Sequence, residues 1–70
     1  MMPLTMAAEG IPAKIVKVGG RGEVRRHLEN LGFVTDGEVT IVSVINGNVI
    51  VNVKDSRIAI SKELANKIMI

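Results

Sequence analysis

Cysteine is absent from this chain of 70 residues, and aromatic residues are nearly absent, Phe33 being the only one. Without cysteine there are no disulfides, no thiolate zinc ligands and no thiol nucleophile, which fits a reducing compartment. The shortage of aromatic residues argues against a surface that stacks nucleobases or holds proline-rich ligands, because both depend on aromatic side chains.

Long apolar runs and a strong charge of one sign are also lacking. No stretch of about 20 apolar residues is present, and residues 1–6 lack the basic start of a secretory signal, so neither a membrane span nor a leader is predicted. Nine basic side chains stand against seven acidic ones, and a net charge of +2 gives little long-range attraction for polyanions. A chain this short buries only about 60% of its unfolded surface, so we expect one small domain over residues 1–70.

Valine and isoleucine make up most of the apolar content, which is 47% of the chain, and β-branched residues favour a sheet. In residues 38–45 apolar side chains fall on both faces, as in a strand that bends. Val49, Val51 and Val53 alternate with more polar positions, so one face of their strand is predicted to be buried. Five short strands are predicted, over residues 13–18, 38–45, 49–54, 57–60 and 67–70.

Short turns are predicted between these strands. Asn46-Gly47 is typical of a two-residue type I′ turn, because both of its positions need positive φ. Asp55-Ser56 predicts a second tight turn, and Thr35-Asp36-Gly37 a third. The glycine-rich residues 19–22 match no phosphate-binding pattern and are interpreted as a flexible connection.

A short helix is predicted over residues 23–31. Its apolar face is formed by Val24, Leu28 and Leu31. Gly32 suits the left-handed position just past the helix end, and Phe33 can then fold back onto Leu28.

The order of these elements predicts a mainly β fold, a small five-stranded SH3-like barrel with one short α-helix after strand 1 and a one-turn helix before the last strand. Ser61 is placed to cap that one-turn helix, which runs to about Ala65. Barrel closure hides sheet edges that would otherwise aggregate. A small OB-like barrel is the alternative, although its longer strands would be hard to fit. Leu4 is expected to tuck into the barrel end, and the residues before Pro3 to fray.

Almost the whole chain resembles the FeoA family, the small cytoplasmic proteins associated with bacterial ferrous iron uptake. The residues that carry the resemblance include Pro3-Leu4, Arg25-Arg26, Leu31-Gly32-Phe33 and the closing Ile68-Met69-Ile70. The resemblance implies an SH3-like barrel and an accessory or adaptor role. The implied partner is the ferrous iron transporter FeoB, at its cytosolic GTP-binding region, which would keep the protein cytoplasmic and peripheral to the inner membrane.

Departures from the family pattern fall in turns. Thr35-Asp36 stands where the family commonly has Pro-Gly, and the tight Asn46-Gly47 replaces a longer loop. Ser61 stands where the family frequently has an arginine near the last turn. The fold prediction does not depend on these positions.

A protein interface is the function that the residues favour. The polar face of the helix offers Arg25, Arg26 and Glu29, with Arg57 as a further candidate, and Arg25 can pair with Glu29 across one turn. We expect these four residues to contact the partner, and the protein to be a monomer or a weak homo-oligomer.

Nucleic-acid binding is the first alternative, because Arg21, Arg25, Arg26 and Arg57 could form a basic patch on a small barrel. Single-strand binders usually lay bases on several aromatic side chains, whereas Phe33 alone is available and is expected in the core.

Weak binding of a transition metal ion such as Fe²⁺ is the second alternative, since Glu23 and His27 stand one helical turn apart. Two ligands do not make a tight site, so we expect no stable iron binding and no cofactor. An enzyme is not predicted either, because a triad of His27, Ser61 and Asp55 is only arithmetically possible and lacks the motif context that nucleophiles need.

Overall fold

A computed structural model describes residues 1–70 and shows a mainly β protein with two helices, as predicted. A 3₁₀ turn at Leu4–Met6 precedes the sheet elements. The strands and helices, in chain order, are β1 (Ala13–Lys14), β2 (Lys17–Val18), α1 (Glu23–Leu31), β3 (Glu38–Ile45), β4 (Asn48–Val53), β5 (Ser56–Ser61), α2 (Lys62–Ala65) and β6 (Ile68–Met69).

Six strands are present where five were predicted, because the first predicted strand bends and changes partner. β1 pairs with β3, and β2 pairs with β6. At the bend, Ile15 donates its N–H to the carbonyl of Gly37 and Val16 donates to Met69, both at 2.8 Å. Ile15 and Val18 are both buried three positions apart, which straight alternation would not allow.

The larger sheet has the strand order β1-β3-β4-β5, with all neighbours antiparallel. The bend predicted in β3 is confirmed as a shift of register between Ile41 and Ser43. The predicted Asn46-Gly47 turn joins β3 to β4, and its φ angles of 47° and 83° are those of a type I′ turn.

The turn between β4 and β5 lies one residue earlier than predicted. Lys54 and Asp55 occupy it, with φ angles of 48° and 62°, and Ser56 already pairs with Val53. The prediction of Asp55-Ser56 was wrong because the register is set by the core-facing valines of β4, which place Val53 as the last inward residue.

Thirteen buried apolar residues form the core, and no polar or charged side chain is buried. Leu4 and Phe33 are fully buried in it, as expected. β4 shows the predicted alternation, its three valines buried between exposed or half-buried neighbours. The full set is Leu4, Ile15, Val18, Leu28, Phe33, Val39, Ile41, Val49, Val51, Val53, Ile60, Ala65 and Ile68.

Helix α1 has the predicted bounds but buries less than predicted. Leu28 is buried and Leu31 packs partly against the core, whereas Val24 remains 37% exposed. Val24 lies in the first turn, where its side chain rests against the backbone of Gly20: a Cβ there would stand 3.0 Å from Val24 Cγ1.

The end of α1 is a Schellman motif. Gly32 has a φ of 112°, and its N–H bonds to the carbonyl of Glu29 at 3.0 Å. Phe33 donates to the carbonyl of Leu28 at 3.1 Å, which brings its ring into the core as predicted.

The two chain ends lie side by side. Met2 donates to the carbonyl of Ile70 at 3.0 Å and Ile70 donates to that of Met2 at 2.8 Å, while Pro3 bridges Met69. The expectation that residues before Pro3 fray was therefore wrong for Met2, because the C-terminal strand supplies it with hydrogen-bond partners. Neither helix is long and apolar enough to cross a lipid bilayer.

Candidate partner-binding site

An open cleft of about 470 Å³ lies between the 3₁₀ turn, helix α2 and the β3–β4 hairpin. Five of its nine lining residues are apolar. The lining residues are Thr5, Met6, Ala7, Glu9, Ile41, Val44, Val49, Lys62 and Asn66.

Two hydrogen bonds fix the walls of the cleft. The Thr5 hydroxyl donates to Asn66 Oδ1 at 2.6 Å and so joins the 3₁₀ turn to the end of α2. Ser61 starts α2 as predicted, because its hydroxyl accepts the N–H of Leu64 at 3.2 Å. This cap orients the helix that brings Lys62 and Asn66 to the cleft.

The floor of the cleft is buried in the core and its rim is exposed. Ile41 and Val49 are core residues, 2% and 1% exposed, whereas Met6 is 69% and Val44 46% exposed. Ile45, next to Val44, is 55% exposed. Exposed apolar side chains beside a concave surface make the cleft a candidate binding site, since covering them would remove apolar area from water.

The polar members of the rim carry one charge of each sign. Glu9 and Lys62 line the cleft and are both solvent-exposed. Such a rim orients a bound segment without favouring a strongly acidic or basic one. The cleft can therefore hold an apolar anchor side chain flanked by polar groups.

The predicted partner-binding residues fall on two elements. Arg25, Arg26 and Glu29 lie on the solvent-facing side of α1, and Arg25 Nε stands 3.9 Å from Glu29 Oε2, which confirms the predicted pair. Arg57 lies on β5, and its Nε donates to Asn52 Oδ1 at 3.3 Å. The structure joins Arg57 to Asn52 of the neighbouring strand and to no carboxylate.

Groups that could bind a metal do not converge. Glu23 and His27 are on α1, and no set of three or more histidine, cysteine, aspartate or glutamate residues comes together. A second hollow of about 450 Å³, on the β3–β4 side of the sheet, contains Glu38 and Asp55 as its only carboxylates. His27, Ser61 and Asp55 lie on three different elements, α1, the end of β5 and the β4–β5 turn.

Sequence reasoning missed the cleft. Its rim residues, Met6, Val44 and Lys62, come from three elements that are far apart in the chain. One signal was present, since Val44 and Ile45 are consecutive apolar residues beside the Asn46-Gly47 turn, where a hairpin end is normally polar.

The fold places the protein in the class of small SH3-like β domains. A structure of Stenotrophomonas maltophilia FeoA with zinc, named as a prokaryotic SH3 domain protein, superposes with a TM-score of 0.86 at 24% identity, over 99% of this chain and 88% of that one. A manganese-dependent transcriptional repressor shares the fold at 13% identity with a TM-score of 0.83, over 94% of this chain and 38% of the repressor. The SH3-like prediction is confirmed.

The family follows from the sequence. The FeoA domain model matches residues 2–70, so the chain belongs to the FeoA family, a family of ferrous iron transport. A protein of Methanocaldococcus jannaschii, provisionally named Fe(2+) transport protein A, is 33% identical over 70 residues, all of this chain and 85% of that protein. The solution structure of iron(II) transport protein A from Clostridium thermocellum is 28% identical with a TM-score of 0.90, and the match covers 97% of this chain and 43% of that one.

Proposed function

We propose that this protein is a non-enzymatic accessory of ferrous iron uptake, an adaptor that binds and regulates a FeoB-type transporter at its cytosolic GTP-binding region. It would act in the cytoplasm and reach the inner membrane through this partner. The observation that carries the proposal is the open apolar cleft on a chain that belongs to the FeoA family.

The apolar rim of the cleft supplies part of the free energy that a reversible complex needs. Fully covering an exposed apolar side chain contributes roughly 1.5–3 kcal/mol, and the rim offers two that are about half exposed or more, Met6 and Val44. A micromolar complex needs about 8 kcal/mol beyond the cost of association. The cleft therefore anchors a reversible contact, and polar residues contribute the remainder.

The arginines of α1 are proposed as the second part of the interface. Arg25 and Arg26 are exposed, and only Arg25 has an acidic neighbour within 4 Å. Exposed charges raise the rate of encounter with an acidic surface more than they raise the final affinity. We expect these residues to govern how binding depends on salt.

The test is an amide NMR titration of the labelled protein with the cytosolic GTP-binding region of a FeoB transporter, with and without guanine nucleotide. Saturable shifts that include Met6, Val44 and Lys62 are expected. The titration is repeated with the intact transporter in lipid nanodiscs, and an unchanged spectrum in both experiments would exclude the proposal.

A matched pair of variants locates the contact. Val44 and Val16 are both exposed valines, at 46% and 51%, but only Val44 lines the cleft. Val44→Glu should weaken binding by roughly tenfold or more, because the carboxylate would be desolvated in the complex. Val16→Glu should leave the affinity unchanged, and an equal loss in both variants would show that the cleft is not the contact.

A further inference from the structure

The outer edge of β5 is an unused hydrogen-bonding surface. β5 is the last strand of the larger sheet and pairs only with β4. The two-residue turn at Lys54-Asp55 makes Val53 and Ser56 a hydrogen-bonded pair, and such pairs alternate along an antiparallel ladder. The N–H and C=O groups of Arg57 and Ala59 therefore point away from β4.

No other part of the protein occupies these groups. The hydrogen bonds outside the helices and strands do not include the backbone of Arg57 or Ala59, and neither do the side-chain hydrogen bonds. Both residues are solvent-exposed.

Apart from the charge of Arg57, the devices that usually protect a sheet edge are missing from β5. β5 has no proline, and its register with β4 runs without a shift from Ser56 to Ser61. Ala59, in the middle of the edge, is too small to cover it. An extended segment can therefore approach along the strand.

The side chains beside the edge define the chemistry of that segment. Ile58 is half-buried on the inner face of the sheet, so an apolar residue is favoured opposite it. Arg57 lies on the outer face, where its Nε bond to Asn52 holds the guanidinium in place and no carboxylate is paired with it. The remaining guanidinium N–H groups suit a carboxylate.

We propose that the β5 edge binds an extended segment of a partner protein as an added strand, with a carboxylate opposite Arg57 and an apolar side chain opposite Ile58. This mode gives affinity through backbone hydrogen bonds and specificity through alternate side chains. This proposal adds a mode of partner binding to the proposed adaptor function. It rests on that function only in taking the partner to be a protein.

A second copy of the chain fits the edge less well. β5 contains no aspartate or glutamate, so no register of β5 against itself supplies a carboxylate to Arg57.

The experiment uses two synthetic peptides, acetylated and amidated, with the sequences Thr-Val-Glu-Val-Thr and Thr-Val-Lys-Val-Thr. Each is titrated into the labelled full chain and followed by amide shifts and hydrogen exchange. In the free protein, the Arg57 and Ala59 amides should exchange at least about tenfold faster than those of Ile58 and Ile60, which bond to β4. The glutamate peptide should shift Arg57 and Ala59 and slow their exchange, and the lysine peptide should bind on the order of fivefold more weakly.

Two variants and one control separate the contribution of the β5 backbone to peptide binding from that of the Arg57 side chain. Ala59→Pro removes one outward N–H without removing a ladder bond to β4, so it should abolish peptide binding, and Ala59→Thr, which keeps that N–H, should not. Arg57→Glu should reverse the preference between the two peptides. This test leaves Ala59 unchanged, so it does not depend on whether the proline variant folds.

Three results would overturn the proposal. They are peptide shifts confined to the cleft, no response at β5, and protection of Arg57 and Ala59 in the free protein that is lost on dilution, which would place a second copy on the edge. Because the peptides replace the transporter, this proposal and the proposed function can fail separately.

Discussion

Thr5 and Asn66, 61 positions apart in the chain, are joined by a hydrogen bond of 2.6 Å from the Thr5 hydroxyl to Asn66 Oδ1. This contact closes one side of the apolar cleft, because the two residues belong to the 3₁₀ turn and the end of α2. It ties the N-terminal segment to the element just before the last strand.

Replacing Thr5 with valine keeps the shape of the side chain and removes the donor. The free energy of unfolding should fall by about 0.5–1 kcal/mol, since a solvent-accessible hydrogen bond contributes little net stability. Urea denaturation measures this loss, and a double-mutant cycle with Asn66→Ala isolates the pair. A coupling energy of zero would contradict the contact.

Gly32→Val should destabilise the protein by about 2 kcal/mol or more. The residue has a φ of 112°, which a β-branched side chain rarely adopts, and a Cβ there would lie 3.4 Å from the Lys54 side chain. Gly32→Asn is the milder control, because asparagine tolerates left-handed backbone. Equal stability of all three proteins in urea would refute the importance of this helix end.

Gly19→Ala should also be costly, for a different reason. The φ of Gly19 is not positive, but an added Cβ would stand 2.9 Å from the carbonyl oxygen of Lys67, whose bond to the Gly19 N–H is 2.6 Å long. We expect a loss of about 1–3 kcal/mol as the backbone segments separate. Hydrogen exchange at the Gly19 amide should accelerate in this variant, and unchanged exchange would contradict the prediction.

Asp55→Gly should stabilise the protein by about 1 kcal/mol. Asp55 holds a φ of 62° in the two-residue turn between β4 and β5, and glycine reaches that angle without steric cost. Thermal unfolding checks the sign, with Gly47→Ala as the opposite case in the other hairpin turn. A lower melting temperature for Asp55→Gly would show that the aspartate side chain supports the turn.

The charge reversal Arg25→Glu with Arg26→Glu should weaken binding to the transporter region and change the melting temperature by only about 2–4 °C. The only ion pair lost is the exposed contact of Arg25 with Glu29 at 3.9 Å, and acidic residues near the start of α1 interact favourably with the helix dipole. Calorimetry of binding and of unfolding measures both quantities. Loss of the folded state would show instead that the arginines are structural.

Local signals in the sequence were enough for the helix, the first hairpin and the one-turn helix. Each depends on a few adjacent residues with a direct conformational preference, such as Gly32 after α1, Asn46-Gly47 in the turn and Ser61 at the start of α2. These preferences act between neighbouring residues, and they agree with the tertiary packing, so the local signals were sufficient.

The errors share a different origin, because they depend on long-range pairing. The segment over residues 13–18 is divided by the strands that it meets, and Met2 is held by Ile70. The apolar cleft escaped prediction for the same reason, since its walls come from both ends of the chain. Periodicity along a sequence reports burial of one element and carries no information about which distant element covers it.

The reciprocal hydrogen bonds between Met2 and Ile70 hold the two ends of the fold next to each other. A unit whose ends meet can be placed within a longer polypeptide, or opened elsewhere and rejoined, without disturbing its interior. Proximity of the two ends therefore suits this small barrel to insertion into another chain as a single unit.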